Sequence, residues 1–118
     1  VEITGRISSE KVKEELVKSK IFVLTSLCES FSLVLCEAME CGVPCVSFDI
    51  DVGPREIIQT EENGILIKNR NIEEMAQKIL ELLQDENKWN NISRNSLESV
   101  KKYYSDNVAK EWIKIIEK

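Results

Sequence analysis

The sequence contains no histidine, and none of its four cysteines forms a C-x-x-C pair. Structural zinc sites are built from paired Cys and His ligands, so we expect no metal site and interpret the cysteines as small buried residues in a reducing compartment. The Lys and Arg residues are scattered and the net charge is −5, whereas contact with nucleic acid requires clustered positive charge. We therefore expect neither a metal nor a nucleic-acid partner.

Long apolar runs and leader features are also absent. No run approaches the roughly 20 residues of a membrane-spanning helix, and the opening residues VEITGRISS have neither the basic nor the apolar segment of a signal peptide. We therefore expect a cytoplasmic protein. With 118 residues, of which 42% are hydrophobic and 31% charged, the composition suits one globular domain.

Short apolar segments alternate with helical patterns along the chain. Strands are predicted at residues 1–4, 20–26, 44–49 and 64–68, helices at 8–19 and 33–42, a turn with a short helix at 51–60, and helices from Asn71 to the end. The predicted helix caps are Ser8 or Ser9, Asn71 and Asp106. This alternation predicts an α/β fold with a parallel sheet, and ligands of such sheets bind at the carboxyl ends of the strands.

The segment from Cys28 to Asp49 reads CESFSLVLCEAMECGVPCVSFD and places two glutamates around the start of a helix. A helix that begins at Ser32, with Ser30 as the other candidate cap, would present free amide groups at the carboxyl edge of the sheet. Together with the helix dipole, these amides make a site for an anion such as phosphate. The segment has no glycine-rich loop, so it is neither a P-loop nor a G-x-G-x-x-G fingerprint.

Glu37 is unexpected, because its neighbours one helical turn away are apolar and a carboxylate on such a face needs a partner. Three interpretations are open: a salt bridge to a lysine, a solvated face shared with Glu40, and a contact with a ligand. Glu29 is either a loop carboxylate favoured by the helix dipole or part of the same site. Two carboxylates also suggest a glycosidase pair, but an anion site beside them favours a charged sugar donor.

The stretch ESFSLVLCEAMECGVPCVSFD resembles the signature E-G-F-G-L-x-x-x-E-A-M-A-x-G-x-P-V-V-x-x-D of family 4 glycosyltransferases (glycosyl transferases group 1), the E-x7-E motif. The segments GPREII at 53–58 and ENGILI at 62–67 extend the resemblance, as do residues 1–26 and 103–118. The chain is thus similar to the C-terminal, donor-binding domain of a retaining glycosyltransferase with the GT-B fold. The resemblance implies a Rossmann-like parallel sheet of about four strands, with helices on both faces and a helical C-terminal tail.

The same resemblance implies a role for each residue of the motif. Glu29 is the catalytic residue, which contacts and orients the donor sugar, and Glu37 accepts hydrogen bonds from the ribose hydroxyls. The residues implied in donor binding are Gly5, Arg6, Ile7, Glu29, Ser30, Phe31, Ser32, Leu33, Val34 and Glu37, of which residues 5–7 touch the base and the amides around 31–34 hold sugar and diphosphate. Ser30 and Ser32 replace glycines of the family pattern, and because serine restricts φ we expect a slightly reshaped loop.

The implied reaction is transfer of a hexosyl group, with retention, from a nucleotide-diphosphate sugar, with a UDP-sugar favoured and no cofactor or metal. The GPREII segment is similar to bacterial enzymes of surface polysaccharide synthesis, which implies a glycan or lipid-linked acceptor and a full-length enzyme that is cytoplasmic or peripheral at the inner face of the membrane. We expect residues 1–118 to be a partial C-terminal domain. The acceptor domain, and the Arg and Lys that neutralise the diphosphate, then lie outside it, so the isolated fragment should be inactive.

In the family's strand order 3-2-1-4-5-6, the first strand predicted in this chain does not neighbour the second. We therefore expect an altered sheet order, self-association of the chain or a loosely held N-terminal strand. Two alternatives from other functional classes are a non-catalytic nucleotide-sugar-binding module and a protein-interaction module whose exposed helices bind protein.

Overall fold

In the computed structural model, which describes residues 1–117, strands and helices alternate up to residue 84 and helical segments follow to residue 116. The strands are β1 (Phe22–Leu24), β2 (Cys45–Phe48) and β3 (Ile65–Ile67). The helices are α1 (Ser9–Lys18), α2 (Leu33–Glu40), α3 (Pro54–Ile57), α4 (Ile72–Gln84), α5 (Glu86–Val100) and α6 (Ser105–Ile116). Two 3-10 turns, Lys68–Arg70 and Lys101–Tyr103, follow β3 and α5.

The central strand of the sheet is β2, which pairs in parallel with both of the other strands in the order β1-β2-β3. Phe22 of β1 lies opposite Cys45, and Phe48 lies opposite Ile67 of β3. Every residue of β2 is buried, as is typical of a parallel strand that is covered on both faces. The predicted α/β fold with a parallel sheet is confirmed.

Apolar side chains cover the sheet on both faces, because successive side chains of a strand point to opposite sides. On one face Cys45 packs in a cluster with residues of α1, α2 and α3, including Met39. On the other face Val46 and Phe48 pack with residues of α4 and α5, including Leu82. The prediction of helices on both faces is therefore confirmed.

Residues 1–4 form no strand and are exposed, so the described sheet has three strands rather than about four. A strand is stable only where its backbone groups pair with a neighbour, and residues 1–4 pair with none of the three strands. Apolar alternation alone does not supply that neighbour. The outcome agrees with a loosely held N-terminal segment, while self-association stays a prediction.

Side-chain caps begin α1 and α4 as predicted, since Ser8 and Asn71 each accept a hydrogen bond from the amide three residues further on. The prediction that Asp106 caps the last helix is wrong. Helix α6 begins at Ser105, and Asp106 lies inside its first turn, where the helix dipole favours a carboxylate.

The helical C-terminal tail is confirmed as α6, but its apolar residues are not buried. Trp112, Ile115 and Ile116 are exposed, and the helix contributes no residue to the described core. The described helices include none that is both long and apolar enough to cross a membrane.

The cysteines differ in burial more than the sequence suggests. Cys36 and Cys45 are buried, as expected of small core residues, whereas Cys41 is half-buried and Cys28 is exposed in the loop after β1. Burial raises the pKa of the Cys45 thiol to about 12. Burial and the neighbouring carboxylates of Glu40 and Glu37 raise the pKa of Cys36 to about 11.

Thiol labelling should therefore be strongly site-selective. Since the thiolate is the reactive form, a pKa near 12 leaves on the order of one thiolate in ten thousand at pH 8 even before access is considered. With an aromatic disulfide reagent at pH 8, Cys28 should react first and Cys45 only on unfolding. The Cys28→Ser variant should lose the fast phase, and labelling of native Cys45 at the rate of Cys28 would contradict the described core.

Candidate functional site

Three connecting segments meet at the carboxyl edge of the sheet. Residues 25–32 follow β1, residues 49–53 follow β2, and the turn Lys68–Arg70 follows β3. Because the strands are parallel and in register, these segments lie side by side. This edge is where ligands bind in open parallel sheets, so it is the first place to look for a site.

The N-terminus of α2 opens onto this edge. Within residues 1–117, the amide groups of Leu33 and Val34 have no hydrogen-bond acceptor, whereas Leu35 donates to the carbonyl oxygen of Ser32. Free amides at the positive end of a helix dipole attract an anion. The geometry therefore leaves two amides free to bind an anion, and the anion site itself stays a prediction.

Ser32 occupies a costly conformation at the start of α2. Its φ of 69° lies in the left-handed region, which glycine adopts more readily than serine. Its side chain is buried, makes no capping hydrogen bond, and its hydroxyl oxygen has no partner in the described chain. Ser32 thus adopts a backbone conformation that a glycine would adopt with less strain. Whether the loop is reshaped relative to the family stays a prediction.

Glu29 lies in the irregular loop before α2 and is half-buried. Its carboxylate accepts a hydrogen bond of 2.6 Å from the hydroxyl of Ser26. Both residues belong to the segment that follows β1, so this contact links two points of one loop. The neighbouring loop residues differ in burial, since Ser30 is exposed and Phe31 is half-buried.

Glu37 is exposed rather than set among buried apolar side chains, which corrects the sequence interpretation of its helix face. Leu33, one turn earlier, is also exposed. Glu37 and Glu40 line the same hollow of about 210 Å³ between α1 and α2, together with Lys13. No ion pair joins Glu37 to a lysine within residues 1–117, so a solvated face and a ligand contact are the two interpretations that remain.

The predicted base-binding residues lie just before α1. Gly5 has a φ of 64°, Gly5 and Arg6 are exposed, and Ile7 is half-buried. Ser9, the first residue of α1, lines the hollow beside Glu37, but none of residues 5–7 does. No side-chain hydrogen bond ties them to α2 in the described structure, and their predicted contact with a base is untested.

Asp49, at the end of β2, is held by an arginine. Arg55 donates to both of its carboxylate oxygens, at 2.9 and 3.2 Å, and also pairs with Asp51. A bidentate pair of this kind uses an acceptor site on each carboxylate oxygen and holds the group in a fixed orientation. Asp49 is therefore a poor candidate for a catalytic base, and residues 1–117 contain no group of acidic, Cys or His side chains that could hold a metal ion.

The sequence model of the family described as glycosyl transferases group 1 matches residues 1–99. The chain belongs to this family. It is 34% identical over 113 residues, 95% of its own length, to the exopolysaccharide phosphotransferase of Streptomyces coelicolor. It is 35% identical over 97 residues, 81% of its length, to the poly(ribitol-phosphate) alpha-N-acetylglucosaminyltransferase of Staphylococcus aureus.

A solved structure of a mutant of the S. aureus protein TarM, in complex with fondaparinux, alpha-GlcNAc-glycerol and UDP, has the same fold. It matches with a TM-score of 0.81 and 32% identity, over 93% of this chain and 22% of the TarM chain. The present chain also spans only 12% and 20% of the lengths of the two curated relatives. Membership of the group 1 family confirms the resemblance, whereas family 4 and the retaining mechanism stay predictions.

Two contacts of this glycosyltransferase-family domain were not foreseen from the sequence. The backbone of Gly53 approaches the loop before α2 so closely that a Cβ atom there would lie 2.7 Å from the carbonyl oxygen of Ser30. The ring of Phe31 packs edge-on against Tyr103, with centroids 5.0 Å apart. The Gly-Pro pair at 53–54 predicts a turn, but no local pattern indicates which loop the turn touches.

Replacing Gly53 tests how strongly this loop depends on the close approach. Gly53→Ala should lower the free energy of unfolding by about 2 kcal/mol or more, because its φ of 90° is strained for alanine and the new methyl group collides with backbone. Urea unfolding measures the effect. Gly5→Ala is a matched control, since Gly5 also has a positive φ but faces open space, and it should cost less than about 1 kcal/mol. Equal effects would refute the steric explanation.

Proposed function

We propose that the chain is the donor-binding part of a retaining glycosyltransferase of family 4 type, which transfers a hexosyl group from a UDP-sugar to a glycan or lipid-linked acceptor. The observation that carries the proposal is the free N-terminus of α2 at the carboxyl edge of the sheet, with Glu29 before it and Glu37 one turn inside it. Acceptor-binding residues are proposed to lie outside this chain.

The charges of a nucleotide-diphosphate sugar fit this arrangement. The free amides of Leu33 and Val34 offer hydrogen bonds to a diphosphate, and the helix dipole stabilises its negative charge. Glu37, exposed beside the hollow between α1 and α2, can accept both hydrogen bonds of a ribose diol. Glu29, in the loop just before α2, is then available to bind the hydroxyls of the donor sugar.

The choice of UDP and of a surface polymer rests on relatives. TarM has been solved with UDP bound, and the S. aureus relative is named as a transferase acting on poly(ribitol-phosphate). A Bacillus subtilis relative, 33% identical over 98 residues, is named poly(glycerol-phosphate) alpha-glucosyltransferase. By analogy, we propose a role in bacterial surface polysaccharide synthesis, in the cytoplasm or at the inner face of the membrane.

Nucleotide binding tests the proposed role of Glu37. Calorimetric titration with UDP should show binding that Glu37→Ala weakens by about tenfold or more, because charge-assisted hydrogen bonds to the ribose are lost. Glu40→Ala is the matched control: it removes the same charge from the same helix and the same hollow. Equal losses in both variants would contradict the role of Glu37, and GDP run in parallel tests the choice of base.

The complete protein separates an enzyme from a non-catalytic nucleotide-sugar-binding module. Glu29→Ala should abolish transfer and weaken binding of UDP-glucose or UDP-N-acetylglucosamine, while the affinity for UDP itself stays within about twofold, since Glu29 is proposed to touch only the sugar. Cys28→Ala, in the exposed neighbouring position, should retain transfer. Binding of UDP-sugars by the complete protein without any transfer would favour the binding module instead.

A further inference from the structure

Arg70 reaches across the carboxyl edge of the sheet from the strand on one side to the strand on the other. It follows β3, its guanidinium carbon lies 4.2 Å from the centroid of the Phe48 ring at the end of β2, and it donates two hydrogen bonds to carbonyl oxygens after β1. These bonds run from Nη1 to the carbonyl of Ser26, at 2.9 Å, and from Nη2 to that of Thr25, at 3.2 Å. One side chain thus connects all three strands.

The backbone that carries Arg70 is held in an uncommon conformation. Asn69 and Arg70 are consecutive non-glycine residues with φ values of 55° and 50°, both in the left-handed region. Such conformations are unfavourable for residues with a Cβ atom and persist where surrounding contacts determine them. The hydrogen bonds of Arg70 and its contact with Phe48 are contacts of that kind.

The carbonyl groups that Arg70 holds belong to the loop that carries Glu29. Ser26, whose carbonyl accepts from Arg70, also donates its hydroxyl to the carboxylate of Glu29. The far end of the same loop is fixed separately, by Gly53 against Ser30 and by Tyr103 against Phe31. Within the described chain, Arg70 is thus the side chain from another element that anchors the first part of the loop by hydrogen bonds.

We propose that Arg70 is a positioning residue, which fixes the loop after β1 so that Glu29 faces the donor sugar. The donor named in this inference rests on the proposed function, whereas the contacts of Arg70 with the loop do not depend on it. A planar guanidinium suits this role because its fork reaches two adjacent carbonyl oxygens while its face lies on an aromatic ring. Arg70 forms no ion pair with a carboxylate in residues 1–117, so geometry rather than charge neutralisation explains its position.

Four forms of the protein test this role: wild type, Arg70→Gln, Arg70→Lys and Lys68→Gln. Lys68 lies in the same turn and is exposed, yet makes no side-chain hydrogen bond in the described chain, so Lys68→Gln removes an equal charge without removing the contact. Arg70→Lys keeps the charge but loses the fork. The rate of cleavage after Glu29 by a glutamyl endopeptidase, with the cut located by mass spectrometry, and titration with UDP-glucose and UDP are measured on the same samples.

In Arg70→Gln, cleavage after Glu29 should be about tenfold faster than in the wild type, because the loop opens locally without global unfolding. Affinity for the UDP-sugar should fall about tenfold and affinity for UDP by less than about threefold. Lys68→Gln should match the wild type, and Arg70→Lys should recover only part of both effects.

Unchanged cleavage in Arg70→Gln would overturn the positioning role. Equal changes in Lys68→Gln or full recovery in Arg70→Lys would also overturn it, by showing that charge alone matters. Faster cleavage with unaltered UDP-sugar affinity would overturn the link between Arg70 and the donor. If the wild type binds neither UDP nor UDP-sugar, the proposed function fails, and the cleavage rates still decide whether Arg70 holds the loop.

Discussion

The position of the candidate residues after β1, from Glu29 to Glu37, depends on the parallel pairing of β1 and β3 with the buried strand β2. Residues Cys45–Phe48 lose contact with water on both faces and supply the hydrogen-bond partners of both neighbours. Because parallel pairing brings the carboxyl ends of all three strands to one edge, three loops that are distant in sequence become adjacent there. A change that moved β2 along its axis would shift those loops relative to one another and so disturb the site without touching it.

The loop after β1 lies beyond the sheet hydrogen bonds, so other contacts must determine its shape. Arg70, Gly53 and Tyr103 supply them from three different parts of the chain. This support is consistent with the left-handed conformation of Ser32, which costs on the order of 1 kcal/mol and persists only where its surroundings leave no alternative. Within residues 1–117 the buried hydroxyl of Ser32 has no hydrogen-bond partner, which adds to that cost.

Local patterns predicted most of the fold because helices and buried strands leave periodic signals, as the caps at Ser8 and Asn71 illustrate. They failed where the outcome depends on distant neighbours. Residues 1–4 have the composition of a strand but no strand to pair with, and the apolar neighbours of Glu37 gave no indication that its helix face is left uncovered. The role of Arg70 could not be predicted from local patterns, since the residues that accept its hydrogen bonds lie 44 and 45 positions away in the sequence.

A sequence motif identifies side chains that contact a ligand, but it does not determine their orientation. Fixing the backbone of one residue costs about 1–2 kcal/mol, so a free loop of several residues would lose much of its binding energy on ordering. Contacts that order the loop before the donor arrives remove that cost from the binding step. An exposed arginine outside the motif can therefore influence donor affinity through Ser26 and Glu29 without touching the donor.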